Sequence, residues 1–215
     1  DFCLSRGLGD VYKRQVLESL HALAPIQDEK GNLVSKEKLF QNMKHHITAI
    51  MERYKDVVYA WDVVNEAISD GGRPVMGQKP SPYRNSPLYQ IAGDEFIKKA
   101  FIYAREADPN VLLFYNAYNA ADPQKRDRIY NMVKSMKEEG VPIDGIGMQG
   151  HYNIYGPSME DVDAALTKYS TIVKHIHITE LDIRANEEMG GHLNFSREAG
   201  DISQTVKLLQ EDQYT

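Results

Sequence analysis

The sequence has very little cysteine: Cys3 is the only one among its 215 residues, so no internal disulfide can form. Basic residues are not in excess either, since 25 Lys and Arg stand against 31 Asp and Glu, with a net charge of −6. We therefore expect no nucleic-acid partner. No hydrophobic run reaches the length of a membrane-spanning helix, so we expect no membrane partner.

The composition, 42% hydrophobic and 26% charged, is typical of one globular domain or a piece of one. Residues 1–15 lack periodicity and do not lead into the pattern that follows. They also lack a basic stretch followed by an apolar core, so we expect no signal peptide. We interpret residues 1–15 as an artefactual segment outside the fold, and residues 16–215 as the domain.

From residue 35 onward, helix and strand patterns alternate. Helices are predicted at about 35–54, 94–106, 123–139, 158–169 and 196–210. Strands are predicted at about 57–64, 111–115, 143–149 and 173–182, and a long polar loop at about 69–90. This alternation predicts an α/β fold with parallel strands and helical crossovers.

Two architectures have this alternation, a (β/α)8 TIM barrel and an open doubly wound sheet. No Gly-rich phosphate loop follows a strand, because Gly145 and Gly147 lie inside one. Polar residues instead collect at the carboxyl ends of four strands, where barrel enzymes hold their active sites. We predict a TIM barrel of which about four central β/α units, strands 4–7, are present, leaving two open sheet edges.

Carboxyl, amide and ring side chains gather at these predicted strand ends. They are Asn65, Glu66, Asn116, Tyr118, Gln149, His151, Glu180 and Asp182. Paired carboxylates are typical of glycoside hydrolysis, and amides suit hydroxyl-rich sugars. Alternation predicts that Ile176, Ile178, Glu180 and Asp182 share the interior face of the last strand. Asn65 and Glu66 are neighbours, so both reach one ligand only if their strand bends or ends there.

Metal chemistry is the other possibility at these positions. The histidines available as ligands are His45, His46, His151, His175 and His177. They show no HExxH spacing, and neighbours on a helix point about 100° apart, so we expect no metal and no cofactor. No nucleophile-elbow sequence occurs either. We expect His177, and Trp61 together with Tyr59, to face the helical layer.

Four motifs of the sequence resemble those of the family-10 glycoside hydrolases. They are WDVVNEA at 61–67, YNAYN at 115–119, GIGMQGH at 145–151 and HITELDI at 177–183. The family consists of retaining endo-β-1,4-xylanases on a (β/α)8 barrel. The resemblance covers about residues 28–213 and implies that residues 16–215 are a partial catalytic domain whose partner is xylan or a xylo-oligosaccharide.

The resemblance also implies a role for each site residue. Glu66 matches the general acid/base and Glu180 the nucleophile. Asn65 matches an amide that binds the 2-hydroxyl of the sugar under attack. His151 matches a histidine that hydrogen-bonds the nucleophile, and Asp182 the carboxylate that holds it. The remaining matches are polar groups near the cleavage point and an aromatic on the leaving-group side: Gln149, Asn116 and Tyr118.

The retaining mechanism requires Glu66 to begin protonated and Glu180 ionised, with the two carboxyls about 5–5.5 Å apart. Ala117 departs from the YNDYN pattern of the family, which puts the hydrogen bonding of the following loop in question. The family further implies secretion or a cell-surface location. Because four strands cannot close a barrel, we expect the chain by itself to fold poorly and to show little activity.

Two other functions stay open at this point. One is a mixed-specificity endo-β-1,4-glucanase, since xylose differs from glucose only in lacking the 6-hydroxymethyl group. The other is a truncated module that binds xylan without cutting it. The presence of both Glu66 and Glu180 favours an enzyme over this second alternative.

Overall fold

The computed structural model describes residues 12–15, 26–27, 30–71 and 81–184. Its strands are β1 (Tyr12–Gln15), β2 (Val58–Asn65), β3 (Leu112–Ala117), β4 (Gly145–Met148), β5 (His151–Asn153), β6 (His175–Ile178) and β7 (Asp182–Arg184). Its helices are α1 (Lys36–Arg53), α2 (Pro87–Ala92), α3 (Glu95–Ala107), α4 (Pro123–Glu138) and α5 (Met159–Ser170). The helix predicted at 196–210 lies outside the described residues.

The main sheet has the order β1-β2-β3-β4-β6, and all neighbouring strands in it are parallel. The predicted α/β alternation with parallel strands is thus confirmed. Strands β5 and β7 follow β4 and β6 and form a second, two-stranded parallel ladder. The strand predicted at 173–182 is therefore divided in two, because Gly150 turns the neighbouring chain with φ +80° and interrupts the pairing.

Strand β1 includes residues of the N-terminal segment 1–15 that we interpreted as an artefact. It pairs in parallel with β2, and Gln15 stands opposite Asp62. The open edge expected at β2 is therefore occupied by a four-residue neighbour. The interpretation of residues 1–15 as an artefactual segment stays a prediction, since this pairing of four residues does not test it.

The helices begin and end at residues with the appropriate local chemistry. The side chains of Ser35 and Asp122 each accept a hydrogen bond from a backbone N–H three residues later, capping α1 and α4. Gly140 takes a left-handed φ of 81° just beyond the end of α4. Helix α2 begins inside the predicted loop 69–90 and extends two residues past it, because Ser86 supplies a cap and Pro87 a favourable first residue.

One hydrophobic core joins the helices to one face of the main sheet. Its largest fully buried apolar side chains are Trp61, Tyr115, Tyr169, Phe101, Leu39, Met43, Ile47, Met51 and Ile68. Burial of one such side chain stabilises a fold by about 1.5–3 kcal/mol. The prediction that Trp61 is a core residue is confirmed, and the opposite face of the sheet is left to the functional residues.

Two register irregularities in β2 change which side chains face the core. The pairing with β1 skips Tyr59, and the pairing with β3 skips Val63. Tyr59 is 44% exposed and its ring lies 6.3 Å from that of His177. The expectation that Tyr59 and Trp61 point the same way was wrong, because the bulge interrupts the two-residue alternation between them.

Strand β6 turns the opposite face inward from the one predicted. Ile176 is buried in the core and Ile178 packs against that core, so they do not share an interior face with Glu180. His177 instead stacks on Phe114, with ring centroids 4.2 Å apart, so the prediction that it contacts the helices was also wrong. The pairing of β6 with β4 fixes which face of β6 points inward. Gly145 in β4 has no side chain and so leaves room for the ring of Phe114.

Gly145 is the position where this arrangement is most sensitive to an added atom. A Cβ there would lie 2.2 Å from Cε1 of Phe114 and 2.7 Å from the backbone oxygen of His175. We expect Gly145→Ala to lower the free energy of unfolding by about 1–3 kcal/mol, the usual cost of overpacking. Urea unfolding followed by circular dichroism measures this change.

The control is Gly156→Ala, since a Cβ at Gly156 would meet no atom within 4 Å. We expect this control to stay within about 0.5 kcal/mol of the parent chain. Equal stability of the two variants would contradict the close packing at Gly145.

Candidate active site

The eight residues predicted from the strand ends come together at the carboxyl edge of the main sheet. They belong to one hydrogen-bonded network, which two amides, one histidine and one arginine hold together. The chemical roles of these residues stay predictions.

The end of β2 explains how two neighbouring residues reach one site. The strand ends at Asn65, and Glu66 takes a left-handed φ of 56°. The Glu66 N–H donates to the carbonyl of Asn116 at 2.8 Å, and the Ile68 N–H donates to the Tyr115 hydroxyl at 3.0 Å. A strained residue of this kind persists only where its surroundings hold it, and such residues cluster at functional sites.

A chain of amides joins the two glutamates. Gln149 Nε2 donates to Glu66 Oε1 at 2.9 Å and to Asn65 Oδ1 at 3.0 Å. Asn116 Nδ2 donates to Asn65 Oδ1 at 3.1 Å and to Glu180 Oε1 at 2.9 Å. Because an ionised carboxylate only accepts hydrogen bonds, the amide nitrogens must face the glutamates, and this fixes the orientation of all three amides. The carboxyl separation typical of retaining enzymes stays a prediction.

The Glu180 side of the site is built around His151. Its Nε2 lies 3.2 Å from Glu180 Oε2, and its Nδ1 lies 2.6 Å from Asp182 Oδ2. The ring therefore lies between the two carboxyl groups and contacts one with each nitrogen. The Glu180 N–H also donates to the carbonyl of Gln149 at 2.8 Å, so backbone and side chain are both fixed. The contacts that the family resemblance implies for His151 and Asp182 are therefore present.

Arg84 is a member of the site that sequence reasoning missed. Its Nη1 donates to Glu66 Oε2 at 2.7 Å and its Nη2 to the Tyr118 hydroxyl at 2.8 Å. The backbone N–H of Arg84 donates to the carbonyl of Ala67 at 2.8 Å, which places the side chain beside Glu66. Burial opposes the charge of Arg84, but the contacts with Tyr118 and Glu66 outweigh it and raise the pKa of its guanidinium.

Lys125 and Asp70 extend the site behind Tyr118. Lys125 is 1% exposed, and its Nζ lies 2.7 Å from Asp70 Oδ1 and 3.4 Å from the ring centroid of Tyr118. Burial lowers the pKa of Lys125, against the opposing effect of Asp70. Burial alone would raise the pKa of Asp70, but hydrogen bonds from Lys125 and Tyr118 reverse this and lower it. The cluster thus holds a compensated ion pair.

One sequence signal for these missed residues did exist. Lys125 lies on the buried face of α4 with Ile129 and Met132, so a lysine occupied a place in an apolar helical stripe. A buried lysine is rare unless it is paired, which makes such a position a candidate for a site. Arg84 gave no comparable signal, because it lies in a polar segment without periodicity.

A cavity of about 480 Å³ adjoins the site and borders it at Asp70 and His151. Its other lining residues are Asn119, Ala121, Asp122, Pro123, Gln124, Tyr152, Asn153, Gly156, Pro157 and Asp161. The volume is in the range of small-molecule pockets, and the polar lining suits a hydroxylated ligand. The cavity meets the network at Asp70 and His151, and Glu66 and Glu180 do not line it.

The loop after β3 closes without an acidic residue at position 117. Ala117 is buried in the core, and its carbonyl accepts the N–H of Gln149 at 3.0 Å. The Asp122 N–H donates to the carbonyl of Asn119 at 3.1 Å, which closes the turn into α4. The departure from YNDYN therefore leaves the backbone that carries Gln149 hydrogen-bonded.

Among the described residues, no group of three or more His, Cys, Asp and Glu side chains is arranged to hold a metal ion. His45 is exposed and His46 is buried on α1. None of the helices described between residues 30 and 184 is long and apolar enough to cross a membrane.

Comparisons with known proteins all indicate the same family. Residues 23–214 match the model of Glycosyl hydrolase family 10. The endo-1,4-beta-xylanase/feruloyl esterase of Xylanibacter ruminicola is 58% identical over 87% of this chain and 27% of its own length. Endo-1,4-beta-xylanase B of Paenibacillus barcinonensis is 37% identical over 99% of this chain and 62% of its own length.

A solved structure is also similar, that of a psychrophilic glycoside hydrolase family 10 endo-beta-1,4-xylanase. It has a TM-score of 0.76 and 59% identity, and the match covers 91% of this chain and 59% of that one. The chain thus spans less than two thirds of these relatives. The fold prediction is confirmed, since the described strands and helices are part of a (β/α)8 barrel. The chain belongs to glycosyl hydrolase family 10.

Proposed function

We propose that this chain carries the active site of an endo-1,4-β-xylanase that cleaves xylan with retention of configuration. The observation that carries the proposal is the amide chain between Glu66 and Glu180, which holds two carboxyl groups in one frame at the strand ends. Family membership and the xylanase names of the relatives support the choice of xylan as the substrate.

In the first step, Glu180 attacks the anomeric carbon while the bond to the leaving-group oxygen breaks. Glu66 gives its proton to that oxygen, so the departing sugar leaves as a neutral alcohol. Asn116 and His151 each hold one oxygen of Glu180, which fixes the direction of attack. Such positioning accelerates the reaction, because the reacting atoms start in an aligned geometry.

In the second step, water attacks the anomeric carbon and the ester bond to Glu180 breaks. Glu66, now a carboxylate, takes the proton of the water as a general base. Gln149 holds Glu66 Oε1 in place throughout, while Asn65 receives a hydrogen bond from the same amide. Asn65 thereby keeps its amide in a fixed orientation beside the sugar that undergoes attack.

An assay of reducing ends on xylan, carboxymethylcellulose and mannan tests the proposed activity. We expect weak hydrolysis of xylan by the chain, whose strands do not close a barrel, and none by Glu180→Ala, because that variant has no nucleophile. Comparable rates on carboxymethylcellulose would indicate a mixed-specificity glucanase. Binding to xylan without release of reducing ends would contradict the proposal and indicate a binding module.

The assignment of the acid predicts a dependence on the leaving group. Glu66→Gln should lose about 10²–10⁴-fold of its rate on xylan, the usual contribution of general acid catalysis. Aryl xylosides with good leaving groups need little protonation, so their glycosylation step should be nearly unaffected. Stopped-flow measurement of the released phenol gives this step, with Glu180→Ala as the inactive control. An equal loss on both substrates would show that Glu66 is not the acid.

A further inference from the structure

Lys125 stands where a lysine is disfavoured for two reasons. Its side chain is 1% exposed, and it lies in the first turn of α4, three residues after the capping residue Asp122. Burial disfavours a charged ammonium, and the positive end of a helix dipole disfavours a cation. Its partner Asp70 is 44% exposed, so water competes for that carboxylate and the ion pair stabilises the fold little. Stability alone therefore does not account for a lysine at this position.

The contacts of Lys125 lead to the ring of Tyr118. Its Nζ lies 3.4 Å from the ring centroid of Tyr118 and 2.7 Å from Asp70 Oδ1. The other oxygen of that carboxylate, Oδ2, accepts a hydrogen bond from the Tyr118 hydroxyl. The ammonium thus contacts the face of the ring directly, and it also fixes the carboxylate to which the ring's hydroxyl donates. Lys125 therefore restrains Tyr118 at two points.

We propose that Lys125 is a positioning residue that holds the ring of Tyr118 for contact with the leaving-group sugar. This inference rests on the proposed function, in which Tyr118 lies on the leaving-group side of the cleavage point. Lys125 does not itself touch the substrate, because its side chain is almost fully buried. It acts through Tyr118 on the orientation of the departing sugar, and orientation of this kind contributes to the rate.

Two cations support Tyr118, and Lys125 is the one that can be changed without disturbing Glu66. Arg84 donates to the Tyr118 hydroxyl at 2.8 Å and to Glu66 at 2.7 Å, so its removal changes both residues at once. The described hydrogen bonds to the Glu66 side chain come from Arg84 and Gln149. Substitution of Lys125 therefore removes support of the ring and leaves both of these hydrogen bonds in place.

Two substrates separate positioning of the leaving-group sugar from a general loss of activity. Xylotetraose has a sugar as its leaving group, whereas β-xylobiosyl fluoride has only fluoride there. We expect Lys125→Met to lose about 10- to 10²-fold of kcat/KM on xylotetraose, and less than about twofold on the fluoride. Methionine keeps an unbranched side chain and suits a buried position, so we expect this variant to fold, which circular dichroism checks. Lys125→Gln is a second neutral variant with the same expected result.

A second measurement reports the restraint of the ring without any turnover. NMR relaxation of ¹³C-labelled tyrosine rings in the full 215-residue chain gives an order parameter for each ring. The Tyr118 signal is assigned from its loss in Tyr118→Ala. We expect the order parameter of the Tyr118 ring to fall in Lys125→Met, because both restraints on the ring depend on the ammonium.

The chain contains a matched control in Lys168. Its Nζ lies 2.7 Å from Asp127 and 4.9 Å from the ring centroid of Tyr130, so the same three residue types meet between α4 and α5. Lys168→Met removes the same kind of contact outside the site. We expect it to change neither the rate on xylotetraose nor the order parameter of Tyr118.

A double-mutant cycle tests whether Lys125 acts through Tyr118. Tyr118→Ala removes the ring, so a lysine that only positions this ring has nothing left to hold. We expect Lys125→Met to lower kcat/KM on xylotetraose by less than about twofold when it is added to Tyr118→Ala. A residue that merely supports the fold would cost as much in this background as in the parent chain.

The outcomes separate this inference from the proposed function. An equal loss on xylotetraose and on the fluoride, or a full further loss in the Tyr118→Ala background, would overturn the inference. If the parent chain hydrolyses neither substrate, the proposed function fails for this chain. Ring relaxation then still decides whether Lys125 holds Tyr118, and an unchanged order parameter in Lys125→Met would show that it does not.

Discussion

The parallel pairing of β2, β3, β4 and β6 is the constraint on which the site depends. It places Asn65, Asn116 and Gly147 opposite one another, so the residues that follow each strand meet at one edge. A slip of one residue between two strands would turn a side chain of the site into the helical layer. Strand pairing therefore fixes the relative positions of Glu66 and Glu180, which are far apart in the sequence, before any side chain contact is made.

Above this edge, electrostatic balance decides what each carboxyl can do. Glu180 faces an amide and a histidine ring, whereas Glu66 faces an amide and a guanidinium. The two glutamates are thus chemically alike in sequence but differ in the partners that surround them. Different environments around two carboxyls are the usual physical basis for dividing acid and nucleophile roles between them.

Local sequence patterns predicted the alternation of helices and strands and the eight polar residues at the strand ends. These patterns were less informative about short strands and about which face of the sheet a side chain points to. The bulge at Tyr59 and the interruption after Ile178 both break the two-residue alternation on which a prediction of facing depends. A bulge depends on pairing with a neighbouring strand, so a single strand's own residues do not report it.

The sequence by itself determined the alternating fold, the family and the residue types available for catalysis, because helix periodicity, caps and motifs are local properties. Tertiary structure decided that His177 and not Ile176 faces the interior, and that Arg84 and buried Lys125 join the site. The physical reason is that these contacts join segments distant in the chain. Their geometry exists only once the strands are paired and the helices cover one face of the sheet.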